Sequence, residues 1–206
     1  MRAAASMSRM NHKTFKASDA HKLDDPERLC WMPPDEVVGM LRIAPGMVVA
    51  DIGAGTGFFA LPFARAVSPT GKVWAVDLQS EMLQLIQQKL DPEPTPLGVT
   101  LILGTAKATC LPGASCDVAF LGNVWHELDH LDEVLGEVQR ILRPGGRLAI
   151  LDWRHDVVSP PGPPLDHRIS ARETEAAVAN RGWYDTQSSQ LGRHSYLVIA
   201  HPPLTL

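Results

Sequence analysis

A short apolar run that leads into closely spaced glycines constrains the fold of this chain more than any other feature. Segment 48–59 begins with two adjacent valines, which is typical of a strand buried on both faces. Gly53, Gly55 and Gly57 follow at alternate positions, and apolar residues then recur with helical spacing. Because glycine has no Cβ, a ligand can approach the backbone there, beside the partly positive start of a helix. Strand, glycine-rich turn and helix together predict a nucleotide-binding βαβ unit.

Acidic residues beside the turn indicate which ligand it suits. In a dinucleotide-binding motif the third glycine stands one position later, where this chain has Phe58. Asp51 ends the strand, where a carboxylate would repel a pyrophosphate but can hold an amine or a hydroxyl. Asp77 ends the next apolar run, 73–76, and is placed to accept hydrogen bonds from two ribose hydroxyls. These features favour a ligand that combines an adenosine with a zwitterionic amino-acid tail, and they disfavour a nicotinamide oxidoreductase.

Two motifs of the chain resemble those of a known family. Asp51-x-Gly53-x-Gly55-x-Gly57, with Asp77 at the end of the next strand, resembles the cofactor motif of class I S-adenosylmethionine-dependent methyltransferases. Segment 138–148 reads VQRILRPGGRL and is similar to the helix, turn and strand that precede the substrate face in that family. The resemblance spans most of the chain after residue 30, and it is closest to the small methyltransferases related to quinone-biosynthesis enzymes.

The order of predicted elements indicates the fold class. Strands alternate with helices until a final hairpin, which predicts an α/β fold with a mostly parallel sheet and helices on both faces. The resemblance implies a Rossmann-like, doubly wound sheet of seven strands in the order 3-2-1-4-5-7-6, with the last strand antiparallel. Residues 19–206 are predicted to form one domain, with 19–45 as its N-terminal cap. Residues 1–18 carry basic side chains and no acidic ones, which fits a weakly ordered tail or an organellar transit peptide.

Charge and composition narrow the classes of partner. The net charge of −4 provides no basic field that would attract nucleic acid. No stretch approaches the roughly 20 apolar residues of a membrane-spanning helix. The three cysteines show no metal-binding spacing, which favours free thiols in a reducing cytoplasm. We therefore expect a cytoplasmic protein without a membrane span or a nucleic-acid partner.

The resemblance also implies which residues hold the cofactor, S-adenosylmethionine, and its product S-adenosylhomocysteine. These residues are Asp51, Gly53, Gly55, Gly57, Asp77, Leu78, Thr105, Ala106 and Asn123. The family often has an acidic residue where this chain has Thr105, so we expect a weaker contact to the adenine amino group there. The backbone N–H of Ala106 can still donate to the adenine, and the backbone carbonyl of Asn123 can contact the cofactor.

Candidate acceptor-site residues follow the fourth and fifth strands. His126 can act as a base or position the substrate, because an unperturbed imidazole titrates near neutrality. It can equally cap the next helix or bond a nearby loop. Asp152, at the end of the fifth strand, is the second catalytic candidate. Aromatic and polar residues that can line the acceptor site, or merely pack or face solvent, are Trp31, Trp153, His155 and His167.

Residues 126–130 also spell the His-Glu-x-x-His pattern of zinc metalloproteases. That pattern requires one continuous helix, so that both imidazoles share a face, and a third ligand. Here His126 lies just beyond a predicted strand, and Gly136 stands where a third histidine would be expected. We therefore predict no metal site.

The resemblance implies methyl transfer, and the acceptor class stays open. A short N-terminal cap and the lack of a basic stripe favour a small-molecule acceptor. A protein or RNA acceptor, and a non-catalytic S-adenosylmethionine-binding module, are the alternatives. Methyl transfer is an in-line displacement that depends mainly on alignment, and it needs a base only where the acceptor must lose a proton.

Overall fold

The structure is a computed structural model, and it describes residues 15–157 and 162–203. Its strands are β1 (Val48–Ile52), β2 (Lys72–Asp77), β3 (Val99–Leu103), β4 (Cys116–Gly122), β5 (Leu142–Trp153), β6 (Tyr184–Leu191) and β7 (Ser195–His201). Its α-helices are α1 (Arg28–Trp31), α2 (Pro34–Met40), α3 (Ala60–Val67), α4 (Ser80–Leu90), α5 (Leu131–Ile141) and α6 (Ala171–Ala179). Three short 3₁₀ helices span Ala17–Asp24, Trp125–Glu127 and Leu165–His167. Among the described residues, no helix is long and apolar enough to cross a membrane.

The predicted sheet is confirmed. The seven strands lie in the order β3-β2-β1-β4-β5-β7-β6, and β7 runs antiparallel to both of its neighbours. Strand β1 pairs in parallel with β2 on one side and with β4 on the other, so the chain reverses its winding between β1 and β4. Ligands of such sheets bind in the crevice outside the carboxyl ends of the strands at this reversal.

Two apolar layers cover the sheet because side chains alternate between its faces along each strand. In β1, Val49 packs into the layer on one face, and Ala50 packs into the layer on the other. The first layer contains a cluster of three aromatic rings, in which Phe59 and Phe63 each lie 5.0 Å from Phe120 between ring centroids. Helix α5 presents its buried side chains to the second layer. The strands that carry the site are thereby fixed from both sides.

The largest difference from the sequence prediction lies at Pro144-Gly145-Gly146. The motif over 138–148 implies a helix, then this turn, then a strand, but β5 already begins at Leu142, directly after α5. Leu142 pairs with Cys116, and the register then shifts before Val118 pairs with Arg147, so the turn forms an irregularity within the strand. The predicted final hairpin is formed by β6 and β7, with β6 extending to Leu191.

An N-terminal stretch, residues 15–32, lies over the carboxyl edge of the sheet, and we call it the cap segment. The side chain of Gln79 bonds it twice, by donating to Phe15 O at 2.7 Å and by accepting from Ala17 N at 3.1 Å. Asp24 accepts from Thr56 Oγ1 and from Lys89 Nζ, both at 2.6 Å. Residues 1–14 of the predicted tail lie outside the described residues, and regular structure begins at Ala17, inside that predicted tail.

Candidate active site

The glycine turn after β1 is held in a conformation that favours glycine at each alternate position. Gly53, Gly55 and Gly57 have φ angles of +77°, +53° and +85°. A Cβ on Gly53 would collide with the side chain of Val124, and one on Gly55 would come within 3.2 Å of Leu23 Cδ1. The turn therefore requires glycine for its backbone conformation and its close packing, and Gly53 and Gly55 lie half-buried beneath the cap segment and the loop after β4.

Asp77 ties the end of β2 to this turn. One carboxyl oxygen accepts from Gly55 N at 2.8 Å, and the other accepts from Gln79 N at 2.9 Å. Burial raises the pKa of Asp77, and the N–H groups of Gln79 and Gly55 oppose that rise. Because each carboxylate oxygen has two lone pairs, both oxygens retain the capacity to accept from a pair of ligand hydroxyls.

The carboxyl group of Asp51 is buried, and its pKa lies far above the ordinary value. It is 2% exposed, and its Oδ2 has no hydrogen-bond partner within the described parts of the chain. Burial raises its pKa to about 8, helped by the negative charge of Asp77 and opposed by the N–H of Ala60. A buried carboxyl oxygen without a partner is costly, and such costs concentrate where a ligand supplies the missing partner.

Exposed leucines flank these carboxylates at the same edge. Leu78 follows Asp77 and is 53% exposed, and Leu103, which pairs with Asp77 across the β2–β3 ladder, is 59% exposed. Two large apolar side chains in contact with solvent beside polar groups provide a surface for a flat ring. The sequence indicated Leu78 but missed Leu103, although an apolar residue at a strand end beside an acidic strand end was a usable signal.

Thr105 and Ala106 follow β3 in a tight loop. Thr105 Oγ1 accepts from Ala108 N at 3.1 Å, and Thr105 N donates to Ala108 O at 3.0 Å. The hydroxyl hydrogen of Thr105 can still be donated. Ala106 is half-buried. The loop thus keeps both residues at the same edge of the sheet as Leu103.

A cavity of about 550 Å³ lies between the cap segment and the carboxyl ends of β4 and β5. Its polar and charged lining residues are Lys22, Asp25, Arg28, Asn123, His126, Glu127 and His167. Its apolar lining comes from Phe15, Leu23, Trp31, Trp153 and the turn Gly162-Pro163-Pro164. The volume is in the range of small-molecule sites. Five of the predicted site residues line this cavity: Asn123, predicted for the cofactor, and His126, Trp31, Trp153 and His167, predicted for the acceptor.

His126 and Asp152 form a buried pair at this cavity. Nδ1 of His126 lies 2.8 Å from Asp152 Oδ1 and 3.0 Å from Oδ2, and the backbone N–H of His126 donates to Oδ2 at 2.9 Å. Burial disfavours the imidazolium, but the charge and hydrogen bond of Asp152, with a smaller effect of Glu127, outweigh it and raise the pKa of His126. The pair therefore joins the ends of the adjacent strands β4 and β5.

Trp153 forms a fixed wall of the cavity. It is 7% exposed, and a Cβ on Gly162, whose φ is +106°, would come within 2.7 Å of its ring. The guanidinium carbon of Arg168 lies 5.8 Å from the ring centroid of Trp153. The turn before α6 thus packs its bare backbone against the indole.

His155 does not join the other predicted residues. After Trp153 the chain leaves the sheet in a turn, and His155 borders a separate depression with Arg154, Asp156 and residues of β6. The prediction that His155 lines the acceptor site therefore has no support in the geometry, because the turn directs the chain away from the cavity.

Arg28 is a cavity residue that sequence reasoning missed. It is 8% exposed, its guanidinium carbon lies 4.0 Å from the ring centroid of Phe58, and it donates to Leu23 O. Burial lowers its pKa to about 10, and the charges of Asp24 and Asp25 oppose this effect. Its position depends on the docking of the cap segment onto the glycine turn, a long-range contact without a local sequence signal.

The zinc-like pattern is divided between two elements. His126 lies in a 3₁₀ helix with its Nδ1 against Asp152, whereas His130 has a φ of +50° and precedes α5. The two imidazoles therefore do not share one helical face. Within residues 15–157 and 162–203, no three metal-ligating side chains come together.

Comparison with known proteins agrees with this geometry. A family profile described as a methyltransferase domain matches residues 50–150. A ubiquinone/menaquinone biosynthesis C-methyltransferase UbiE of Bordetella avium is 36% identical over 135 residues, which cover 63% of this chain and 49% of that protein. The corresponding protein of Ralstonia nicotianae is 32% identical over 124 residues, with 56% and 47% covered. The chain spans about half the length of the curated relatives it matches.

Solved structures extend the similarity over nearly the whole chain. An S-adenosylmethionine-dependent methyltransferase from Aquifex aeolicus superposes with a TM-score of 0.85 and 29% identity, covering 91% of this chain and 98% of that one. The arsenic(III) S-adenosylmethionine methyltransferase CrArsM of Chlamydomonas reinhardtii shares the fold, with a TM-score of 0.61, 20% identity, and 79% and 65% covered. The chain therefore belongs to the class I S-adenosylmethionine-dependent methyltransferase family.

Proposed function

We propose that this protein is an S-adenosylmethionine-dependent methyltransferase that acts on a small-molecule acceptor. The observation that carries the proposal is the buried carboxyl of Asp51, which has an oxygen without a partner in the described chain and lies beside a bare glycine turn. A phosphate ligand would be repelled by the carboxylate of Asp77, and also by Asp51 in its ionised form. A cationic ligand that carries hydroxyls fits both carboxylates, since each can accept hydrogen bonds.

The residues proposed to hold the cofactor line the carboxyl edge of the sheet. Asp77 accepts from the ribose hydroxyls, Leu78 and Leu103 flank the adenine, and Ala106 donates its backbone N–H to that ring. Asp51 and the backbone of Gly53, Gly55, Gly57 and Asn123 surround the amino-acid tail. When bound, the cofactor supplies a methyl group already activated on a sulfonium, so the protein contributes mainly alignment and exclusion of water.

The acceptor side of the site favours a compact, flat molecule. The cavity of about 550 Å³ has two indole side chains, Trp31 and Trp153, in its lining, and the cap segment lies over it. An aromatic acceptor would stack there, whereas a folded protein or an RNA chain needs an open surface. The relatives named as quinone-biosynthesis C-methyltransferases support a hydroquinone-like acceptor. A cytoplasmic location is part of the same proposal, and the free thiols of Cys30, Cys110 and Cys116 support it.

Calorimetry and a product assay test the proposal together. Purified protein is titrated with S-adenosylmethionine and, separately, with NAD, and it is then incubated with 1,4-naphthohydroquinone as acceptor probe under reducing conditions. We expect stoichiometric binding of S-adenosylmethionine alone, followed by formation of S-adenosylhomocysteine that depends on the hydroquinone. Binding without turnover on any small acceptor would favour the non-catalytic module, and binding of NAD instead would refute the proposal.

A further inference from the structure

We propose that His126 is the general base that removes a proton from the methyl acceptor, and that Asp152 is the positioning residue that orients its ring. This inference rests on the proposed function, because it concerns the acceptor in the same cavity. It also identifies the acceptor class: a molecule whose reacting group carries a weakly acidic hydroxyl, as a phenol or an enol does.

The carboxylate of Asp152 contacts both the backbone and the ring of His126, and these two contacts orient the imidazole. Asp152 accepts from the backbone N–H of His126 at 2.9 Å and also contacts its Nδ1 at 2.8 Å. Trp153 N donates to the same carboxylate at 2.7 Å, so Asp152 is itself held in place. An ionised carboxylate can only accept hydrogen bonds, and therefore the proton of the neutral imidazole resides on Nδ1. Nε2 then carries the lone pair that a base requires.

Nε2 is the ring nitrogen that remains available to a ligand. His126 lines the cavity, and Glu127 Oε1 lies 3.9 Å from its Nε2. That separation is too long for a hydrogen bond. A histidine with a purely structural role would direct both nitrogens to protein partners or pack against apolar atoms. Here one nitrogen is anchored and the other lies at a cavity with indole walls.

The surrounding charges favour the imidazolium that the proton transfer creates. Asp152 and Glu127 stabilise the positive ring, and Arg168, from the loop before α6, opposes them. Across the cavity the further charged or titratable residues are Lys22, Asp25, Arg28 and His167. Because two carboxylates lie near His126 on its own side, a proton accepted by Nε2 is retained during the transfer.

Each bond that breaks during the proton transfer and the methyl transfer is matched by a bond that forms or by an electron pair that stays on a named atom. The O–H bond of the acceptor breaks, its proton bonds to Nε2, and its electron pair stays on the acceptor. That pair forms the bond to the methyl carbon from oxygen or, through the conjugated system, from a ring carbon, while the electrons of the sulfur–carbon bond remain on sulfur. In the second case the methylated ring carbon then loses its hydrogen to solvent as a proton, and Nε2 returns its proton to the oxygen, which restores the aromatic ring and the hydroxyl. A phenolic hydroxyl has a pKa of about 10, close enough to an imidazole for this exchange. Acceptors that react through a lone pair on sulfur or arsenic need no such base.

The decisive variant is His126→Asn. Its amide can still donate to Asp152 in place of Nδ1–H, but it has no atom in the place of Nε2. His130→Asn is the matched control, since the side chain of His130 is 60% exposed and outside the cavity lining. We expect His126→Asn to lower turnover of the hydroquinone by about 10²–10⁴-fold, the usual contribution of a general base. Affinity for S-adenosylhomocysteine should change less than about twofold, because no proposed cofactor contact is removed.

A readout that needs no turnover uses 4-nitrophenol, whose absorbance reports its ionisation. Bound in the presence of S-adenosylhomocysteine, it should ionise at a lower pH than in solution in the wild-type protein and in His130→Asn, but not in His126→Asn. Nitrogen-15 NMR should find the neutral ring of His126 protonated at Nδ1, and Asp152→Asn should mix the two tautomers. These measurements separate a base from a residue that only holds β4 and β5 together.

The two proposals fail in different ways. If the protein does not bind S-adenosylmethionine, the proposed function fails, whereas the NMR measurement, which needs no cofactor, still tests the tautomer of the histidine. If methyl transfer occurs but His126→Asn matches the wild type in turnover and in nitrophenol ionisation, the inference about His126 is overturned and the methyltransferase stands. A nitrophenol that does not bind, or binds without a change in ionisation, contradicts the acceptor class.

Discussion

Protonation of Asp51 should be coupled to cofactor binding. Its carboxyl is buried and has a pKa of about 8, so about one molecule in ten carries the carboxylate at pH 7 and about one in a hundred at pH 6. If the ionised form contacts the cofactor's cationic tail, the apparent affinity is reduced by the ionised fraction. We therefore expect the affinity for S-adenosylmethionine to rise nearly tenfold from pH 6 to pH 7.

Asp51→Asn isolates this effect because it keeps the shape of the side chain and removes its titration. A hydrogen bond to a charged group contributes about 1.5–3 kcal/mol to the binding free energy. At pH 7 Asp51 must first lose its proton, which costs about 1.4 kcal/mol of that contribution. The variant should therefore bind only about 0–1.6 kcal/mol more weakly at pH 7. At pH 6 the cost doubles to about 2.7 kcal/mol, so the variant should bind between about 0.3 kcal/mol more weakly and about 1.2 kcal/mol more tightly than the wild type. Affinity of the variant should not change with pH in this window.

Calorimetry in buffers of different ionisation enthalpy measures the proton directly. The wild-type protein should release about 0.9 proton per cofactor bound at pH 7, and Asp51→Asn should release none. Asp129→Asn is the control, since that carboxylate is 76% exposed and outside the cavity lining. Measurements stay below pH 7.5 because the amino group of the cofactor itself titrates at about 8. A wild-type affinity that is flat from pH 6 to 7, without proton release, would refute the reasoning.

Other expected outcomes concern the same edge of the sheet. Gly55→Val should abolish cofactor binding in calorimetry, because φ is +53° and the added side chain would occupy the bare face of the turn beneath Leu23. Asp77→Ala should weaken binding by about 1–3 kcal/mol, and the difference should shrink for analogues without ribose hydroxyls. The hydroquinone kcat/KM should rise with pH and level off above the ordinary pKa of histidine, because the pKa of His126 is raised and the base acts when neutral. Without ligand, the free energy of unfolding should fall as pH rises from about 4 to about 8, since Asp51 keeps its proton in the folded protein but loses it on unfolding, and Asp51→Asn should remove the contribution of this residue.

The sequence predicted the part of the site that local pattern determines. A valine-rich strand, three alternate glycines and an acidic strand end lie close together along the chain, and the structure joins them through the bond from Gly55 to Asp77. His126 and Asp152 are 26 positions apart, yet His126 follows β4 and Asp152 lies near the end of β5, and these two strands pair in parallel. Their proximity could be predicted from topology, but the contact at Nδ1 depends on the register and on the 3₁₀ helix.

Residues whose positions depend on tertiary docking could not be predicted. The cap segment has no strong helical periodicity, and the hydrogen bond between Phe15 and Gln79 joins residues 64 positions apart. No pattern in the sequence therefore predicts that the guanidinium of Arg28 lies over the ring of Phe58. For His155 the sequence suggested a position in the acceptor site, because His155 is close to Asp152 along the chain. The turn after β5 places it in a different depression.

The cap segment connects the two halves of the site. Leu23 lies over the glycine turn, and Phe15 lines the acceptor cavity together with Glu127 and His126. Asp24 fixes the segment to Thr56 and Lys89. The cap segment therefore contacts both the turn that we propose holds the cofactor and the cavity that we propose holds the acceptor.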